Sequence, residues 1–250
     1  MFNISTIKKN PLYIWIKHTS ESLLEFIAPT RCISCEKPGS VLCDKCISSI
    51  ECIDPSSSCL RCGAPYGRIL CTECFETSFL TDICLVCAMY EEPIPSIIKG
   101  YKDCSELRLA AYIADMLAQT YQHALEVSAC EFAPLQHDYV TFIPDSASAF
   151  SRRGFDHMYI AAKQFCNLTG HTLIDSLVKH GNIDQRKLGR KERFGKTKKT
   201  SFEVIQNVVG CNFLLLDDVI TTGATMDAAA SALKQAGASR VDVLALARVY

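Results

Sequence analysis

The chain has no long hydrophobic run, no surplus of charge of either sign, and neither of the two commonest nucleotide-binding loops. Its 250 residues carry 26 Lys and Arg against 27 Asp and Glu, a formal net charge of −1. No global field therefore marks it for nucleic acid or an anionic surface, and any basic footprint must be local. The apolar pieces near the start, Leu12 to Ile16 and Leu23 to Ile27, are split by the polar run K-H-T-S-E-S. Neither approaches the roughly 20 residues of a spanning helix, and no small-residue cleavage site follows a continuous apolar core. Their spacing predicts one amphipathic helix within 1–31 and a cytoplasmic protein with no membrane span. The G-x-x-x-x-G-K of a Walker loop and the G-x-G-x-x-G of a dinucleotide turn are both missing.

Cysteine, by contrast, is abundant: there are 15, and they inflate the hydrophobic fraction of 48%. Cys32 and Cys35, Cys43 and Cys46, Cys59 and Cys62, and Cys71 and Cys74 form four C-x-x-C pairs within 43 residues. Two intervening residues let both thiolates of a pair reach one tetrahedral ion, so eight thiolates predict two closed, structural Cys₄ zinc sites. Nothing directs the chain to an oxidising compartment, which argues against disulfides. Iron–sulfur runs place three or more cysteines closer together than these pairs do. The order of the pairs leaves both sequential knuckles and an interleaved cross-brace open. The module holds few basic residues (Arg31, Lys37, Lys45, Arg61, Arg68), which favours scaffolding or partner docking at least as much as nucleic-acid contact. A fifth pair, Cys84 and Cys87, lies in the apolar run I-C-L-V-C-A-M. In a strand, residues three apart point to opposite faces, so these two read as core.

The most informative stretch runs from Phe213 to Thr225, F-L-L-L-D-D-V-I-T-T-G-A-T. Four apolar residues predict a strand buried on both faces. Asp217 and Asp218 follow, then a loop of small hydroxyl residues and glycine. From Ala224 the pattern turns helical and closes at Gly237. A loop entering a helix N-terminus offers free N–H groups and the positive end of the dipole. Thr221, Thr222 and Thr225 add hydroxyl donors, and Gly223 lets the backbone close on an anion. Two carboxylates before such a cradle suit a sugar phosphate: the acids accept from ribose hydroxyls and the loop holds the 5′-phosphate. The whole motif closely resembles the phosphoribosyl pyrophosphate (PRPP) signature of the type I phosphoribosyltransferases.

Elsewhere the chain alternates in α/β fashion. Tyr90 to Pro95 reads as a turn. A helix is expected from Asp103 or Ser105 to about Leu125, with Asp103 and Glu106 at capping-box spacing and Leu107, Ala110, Ala114, Leu117 and Tyr121 as its apolar stripe. Tyr139 to Ile143, Thr172 to Lys179, Phe202 to Ile205 and Asn212 to Leu216 read as strands, with Arg240 to Val249 closing the sheet. Arg152 and Arg153 lie between a strand-end loop and a helix, a position suited to a second anion such as pyrophosphate. From Arg186 to Lys199, eight basic residues (Arg186, Lys187, Arg190, Lys191, Arg193, Lys196, Lys198 and Lys199) stand against one acid, Glu192. That block predicts an exposed, anion-seeking loop that contacts a substrate tail, a phosphate or a nucleic-acid backbone.

Taken in order, L-L-E-F-I-A-P-T-R-C-I-S-C, the repeated C-x-x-C pairs with C-G-A-P, S-R-R-G-F-D-H, D-Q-R-K-L-G-R-K-E-R and the terminal PRPP motif resemble the ComF family of competence-associated, phosphoribosyltransferase-like proteins. The resemblance covers nearly the whole chain. It implies an α/β fold with a mostly parallel sheet and helices on both faces, preceded by a small cysteine-rich zinc module. The expected organisation is an N-terminal segment 1–31, a zinc module 32–80 and a phosphoribosyltransferase-like domain 81–250. The family implies PRPP or ribose 5-phosphate bound with Mg²⁺ at Asp217, Asp218, Thr221, Thr222, Gly223, Ala224, Thr225, Arg152 and Arg153. It also implies a role in handling single-stranded DNA in the cytoplasm during natural transformation, alongside competence-machinery proteins. The alternative is an active phosphoribosyltransferase, although no aromatic base-stacking hood is recognisable. The sequence departs from the family in three places: I-P-D-S-A, with Asp145, where P-V-P-L-S is usual; R-G-F-D-H, with Asp156 and His157, where R-G-F-N-Q is usual; and Lys196 near a customary Asn.

Overall fold

A computed structural model describes residues 29–66, 70–75, 79–131, 135–180 and 201–249. The segment 1–31 expected as an amphipathic helix, apart from residues 29–31, and the basic stretch from Arg186 to Lys199 lie outside them. The chain divides into two compact units, Met1–Ser49 and Ile50–Tyr250. The boundary falls inside the stretch expected as one cysteine-rich module, and the second pair of C-x-x-C motifs belongs to the larger unit.

In the smaller unit, Cys32 N–H donates to Lys37 O and Glu36 N–H returns to Cys32 O. The knuckle turns through Glu36 at φ 61°. A short helix, α1 (Asp44–Ser48), then carries Cys46 inward. The larger unit contains α2 (Thr72–Phe75), β1 (Cys84–Met89), α3 (Ile94–Asp103), α4 (Leu109–Glu131), β2 (Tyr139–Phe142), α5 (Ala147–Arg153), α6 (His157–Thr169), β3 (Leu177–His180), β4 (Ser201–Val204), β5 (Asn212–Ile220), α7 (Ala224–Gln235) and β6 (Arg240–Arg248).

Four strands form a parallel sheet in the order β1-β6-β5-β2. Leu173 extends it by a parallel bridge to Val140. Strand β6 therefore lies inside the sheet, and β1 is the strand beyond it. Its run of fully buried residues from Val241 to Ala247 is what an interior parallel strand requires. Strands β3 and β4 pair with each other, antiparallel, as a separate two-stranded ribbon. The alternation of side chains assigns the two faces. Cys84, Val86, Phe213, Leu215, Val241, Val243 and Ala245 share one core cluster with Ala229, Ala230 and Leu233 of α7. On the opposite face Cys87 Sγ points to Met116 O of α4, and α6 packs beside α4 over β2 and β5. Cys84 and Cys87 are both buried, one on each face, as the strand reading required.

The helix expected from Asp103 or Ser105 begins instead at Leu109, as α4, and a separate helix, α3, precedes it. Pro95 sits in the first turn of α3, where its missing N–H costs nothing. The connector Cys104–Arg108 breaks the helix with Ser105 at φ 55°. Leu107, expected in the apolar stripe, is therefore exposed in that connector, and Glu106 clasps Arg108 through two short contacts instead of forming a capping box. Among the described residues no helix is long and apolar enough to cross a membrane.

The second cysteine cluster lies directly on the sheet: Cys84 N–H donates to Leu60 O at 2.7 Å. Gly63 makes this contact possible, since its φ is +70° and a Cβ there would stand 2.2 Å from Val86 Cγ2. Replacing Gly63 with Ala should therefore destabilise the larger unit by roughly 1–3 kcal/mol through overpacking and backbone strain. Denaturant titration with an unchanged midpoint would contradict that packing.

Candidate functional site

The two acids of the opening motif lie within β5, not beyond it. Hydrogen bonds to β6 continue past them to Ile220. Because neighbours on a strand face opposite ways, the carboxylates have separate surroundings. Asp217 is buried on the α7 face, and its Oδ1 accepts the Asp218 N–H at 2.9 Å. Burial and the charge of Asp218 push it up, to about 7. Asp218 faces the other side. Its Oδ1 accepts from Val219 N–H at 2.6 Å. Its Oδ2 accepts from His157 Nε2 at 2.6 Å and is paired with the Lys102 ammonium. Burial alone would raise this group, but His157 and Lys102 outweigh it and hold the carboxyl well below the usual range.

His157 joins the two halves of the site. Its Nδ1 lies 3.0 Å from Asp145 Oδ2, and both Asp145 oxygens accept from Arg153, at 2.8 and 2.9 Å. Arg153 also comes within 3.3 Å of Nδ1, but the Asp145 contact is shorter. With an ionised carboxylate at each ring nitrogen, only the doubly protonated ring donates to both. Burial pulls the His157 value down, and so should its place at the start of α6; Asp145 and Asp218 prevail, and the net shift is upward. Asp145 is likewise lowered: burial opposes ionisation, and His157 and Arg153 more than offset it. Asp156 fixes the frame by capping α6 through Tyr159 N–H and accepting Asp145 N–H at 2.7 Å. Tyr101 of α3 closes the back by donating to His157 O at 2.6 Å.

The loop from Thr221 to Thr225 runs into α7. Gly223 is its N-cap at φ 78° and brings no side-chain cap. Thr221, Thr222 and Ala224 are exposed, Thr225 is half-buried, and Thr222 Oγ1 lies 3.4 Å from Ala224 N. The second cysteine cluster backs this loop. Phe79 would meet a Cβ at Gly223 at 3.6 Å, and Leu80 N–H donates to Asp227 Oδ1 of α7 at 2.6 Å. The structure thus brings together Asp217, Asp218, the loop and Arg153; Arg152 is exposed at the end of α5. Lys102, Asp145, Asp156 and His157 complete the site and were not among the expected binding residues. The signal for Asp145, Asp156 and His157 was the departure from the resembled pattern at those positions, where an acid and a base appear together; Lys102 carried none.

The eight cysteines gather sequentially: Cys32, Cys35, Cys43 and Cys46 in one cluster, and Cys59, Cys62, Cys71 and Cys74 in the other, with the four Sγ atoms of each within 4.8 Å of one another. Cys35 and Cys43 Sγ are 3.6 Å apart, and Cys62 and Cys71 Sγ are 3.7 Å apart. A tetrahedron of sulfurs at ~2.3 Å from zinc has edges of about 3.8 Å, so the donor sets fit. Backbone N–H groups point at the sulfurs, from Cys43 to Cys32 at 3.5 Å and from Cys71 to Cys59 at 3.3 Å. At Cys32 they override burial and bring the thiol down to about 6. Burial and neighbouring sulfurs push Cys46 up to about 12. A divalent cation supplies the charge that lets all four thiols of a cluster ionise.

No family model matches the chain. Among curated proteins it is 24% identical over 228 residues to the DNA utilization protein YhgH of Salmonella typhi, an alignment covering 88% of this chain and 97% of that one. It is also 24% identical over 213 residues to the competence protein ComFC of Streptococcus pneumoniae, covering 78% and 89%. Among solved structures, a purine phosphoribosyltransferase from Pyrococcus horikoshii aligns at 14% identity over 58% of this chain and 75% of its own, with a TM-score of 0.35. The described fold is a parallel α/β sheet in a chain that also carries two Cys₄ clusters. The chain is thus similar over most of its length to proteins named for DNA utilization and for competence.

Freshly purified, reduced protein should contain two zinc ions per chain, and Cys35→Ser or Cys71→Ser should each lower the count by one. Elemental analysis that finds none, or one substitution that empties both clusters, would refute independent Cys₄ sites.

Stability should depend on pH through the His157 network. His157 is raised, so its contribution is complete below the ordinary 6.5 and is lost as pH rises through the higher folded value. Asp145 and Asp218 are lowered, so theirs is complete above the ordinary 3.8 and is lost as pH falls through the lower folded values. His157→Gln should lower the unfolding midpoint most between the ordinary carboxylate and imidazole values, with the gap narrowing as pH rises above 6.5. Scanning calorimetry showing a pH-independent gap would mean that the ring is neutral.

Proposed function

We propose that this chain binds PRPP or ribose 5-phosphate at the β5–α7 motif and serves in the cytoplasmic handling of single-stranded DNA during natural transformation. The observation that carries the ligand half is the unbroken run from Phe213 to Thr225, folded as buried strand, two carboxylates, glycine-capped loop and helix. In this reading the 5′-phosphate takes the Thr221–Thr225 loop, and Asp217 and Asp218 accept from ribose hydroxyls, which requires His157 and Lys102 to share Asp218. Support for the DNA half comes from relatives named for DNA utilization and competence, and from the basic stretch Arg186 to Lys199.

Mg²⁺ enters this reading with the pyrophosphate. The oxygen donors of Asp145 and Asp156 lie close to His157, but Asp145 is already held by Arg153 and His157 on both oxygens. The protein side is therefore not a ready cation site, and Mg²⁺ would rest mainly on the ligand's own oxygens and water. The same pairing weighs against a working transferase. Arg153, the residue suited to a leaving pyrophosphate, is engaged by Asp145.

The test is calorimetry with PRPP and Mg²⁺, paired with single-stranded DNA titrations at several salt concentrations. Asp218→Asn should weaken PRPP by roughly 1.5–3 kcal/mol. Changing Arg190, Lys191 and Arg193 together to Ala should flatten the salt dependence of DNA binding, whose log–log slope is about −0.7 per phosphate contacted, and leave PRPP binding intact. Wild type that binds neither PRPP nor ribose 5-phosphate would overturn the ligand half, and a triple variant with wild-type DNA affinity and slope would overturn the DNA surface.

A further inference from the structure

The two cysteine clusters share one design but not one setting. In each, the first sulfur of the leading pair collects backbone N–H groups: Cys32 from Ser34, Cys35 and Cys43, and Cys59 from Arg61, Cys62 and Cys71. In each, the second sulfur of that pair stands against the first sulfur of the next pair, Cys35 against Cys43 at 3.6 Å and Cys62 against Cys71 at 3.7 Å. Cys35 and Cys62 are therefore corresponding positions, and there the likeness ends. Cys62 is 2% exposed and accepts from Ala64 N–H. The next residue, Gly63, is pressed against Val86 of β1, so the sheet seals that knuckle. Cys35 is exposed, and among the described residues no N–H is directed at its sulfur.

Exposure and hydrogen bonding decide how a thiolate reacts. N–H donors draw on the sulfur lone pairs, and burial keeps electrophiles out. Cys35 has neither protection. A small peroxide can reach it, and the Cys43 sulfur already lies beside it. An accessible thiolate next to a resolving cysteine is the kind that passes reversibly through sulfenic acid to a disulfide. The metal carries unusual weight in this unit. Besides the cysteines, Val41 and Leu42 are the buried apolar side chains among its described residues, so an ion held by four thiolates does the work of a core.

We propose that Cys35 is a redox modification site: hydrogen peroxide oxidises it, Cys43 closes a disulfide on it, and the first cluster releases its metal while the second keeps its own. The proposal rests on the zinc reading of the clusters. The Cys35 thiolate attacks one peroxide oxygen, the O–O bond breaks, and hydroxide leaves, giving the sulfenic acid. The Cys43 thiolate then attacks the Cys35 sulfur, the S–O bond breaks, and a second hydroxide leaves. Two thiolates have given two electrons to one peroxide. Cys32 and Cys46 are left to hold an ion that four sulfurs enclosed, and water takes the opened positions. The larger unit, with the second cluster and the stretch from Phe213 to Thr225, keeps its structure.

The test uses the full chain, reduced and then freed of reductant, with hydrogen peroxide as the probe. A chelating dye reads released zinc, and mass spectrometry after alkylation maps the oxidised sulfurs. One zinc ion should leave about tenfold faster than the other, in step with a Cys35–Cys43 disulfide, and dithiothreitol with added zinc should reverse both. Cys35→His keeps a zinc ligand and removes the oxidisable sulfur, so it should hold two ions and slow the fast release about tenfold. Oxidation at exposed Cys52 or Cys104 consumes peroxide without freeing metal, and the map separates it. Equal release from both clusters, earlier emptying of the second, a disulfide that excludes Cys35, or wild-type release from Cys35→His would each overturn the proposal. If that variant holds no metal at the first cluster, the wild-type map decides alone. Protein that carries no zinc when first purified fails the zinc reading and this inference with it, whereas zinc-loaded protein that resists peroxide fails this inference only.

Discussion

Two carboxylates cannot be neighbours on one buried strand and share one environment. Everything around β5 follows from that constraint. Asp217, on the α7 face, finds little beyond its neighbour's N–H, and it approaches neutrality. Asp218, on the other face, is charged only because α3 and α6 bring Lys102 and His157 to it. A strand that carried the acids without those two helices would have to expel them. The break between α3 and α4, the left-handed Gly154 that ends α5 and the Asp156 cap of α6 are the local devices that put the cations in place.

The network also explains why Asp145 and His157 occur together. Asp145 alone would place an uncompensated negative charge at the end of β2. His157 alone would bury a cation. Together, with Arg153, they cancel within a shell of hydrogen bonds, the condition under which buried charge is tolerated. Breaking one member exposes the others, so the group acts as a unit, and its effects should not be additive.

Much of the fold was legible because its signals are local. Runs such as F-L-L-L, the glycine after T-T and the C-x-x-C spacing each act within a few residues, and β5, α7 and the cysteine clusters follow from them. Pro95 misled as a turn signal because the same residue also opens helices, and the helix it opens carries Lys102. The contacts to Asp218 span 61 residues in sequence from His157, and nothing in composition or period encodes such a pairing. The interior place of β6 was equally hidden, because β1, which lies beyond it, is separated from it by most of the chain.

The way the second cysteine cluster is attached bears on how this chain can be divided. Through Phe79, Leu80 and Gly63 it touches the Thr221–Thr225 loop, the first turn of α7 and β1. Arg61 ties it down further by donating to Phe79 O and Thr81 O, and Asp82 completes the seam with Lys234 and Val241 N–H. A fragment begun at residue 81 would keep every residue from Phe213 to Thr225 and lose the wall behind that loop. The minimal unit that can be expressed, grafted or compared therefore starts near Ile50, with four of the eight clustered cysteines inside it.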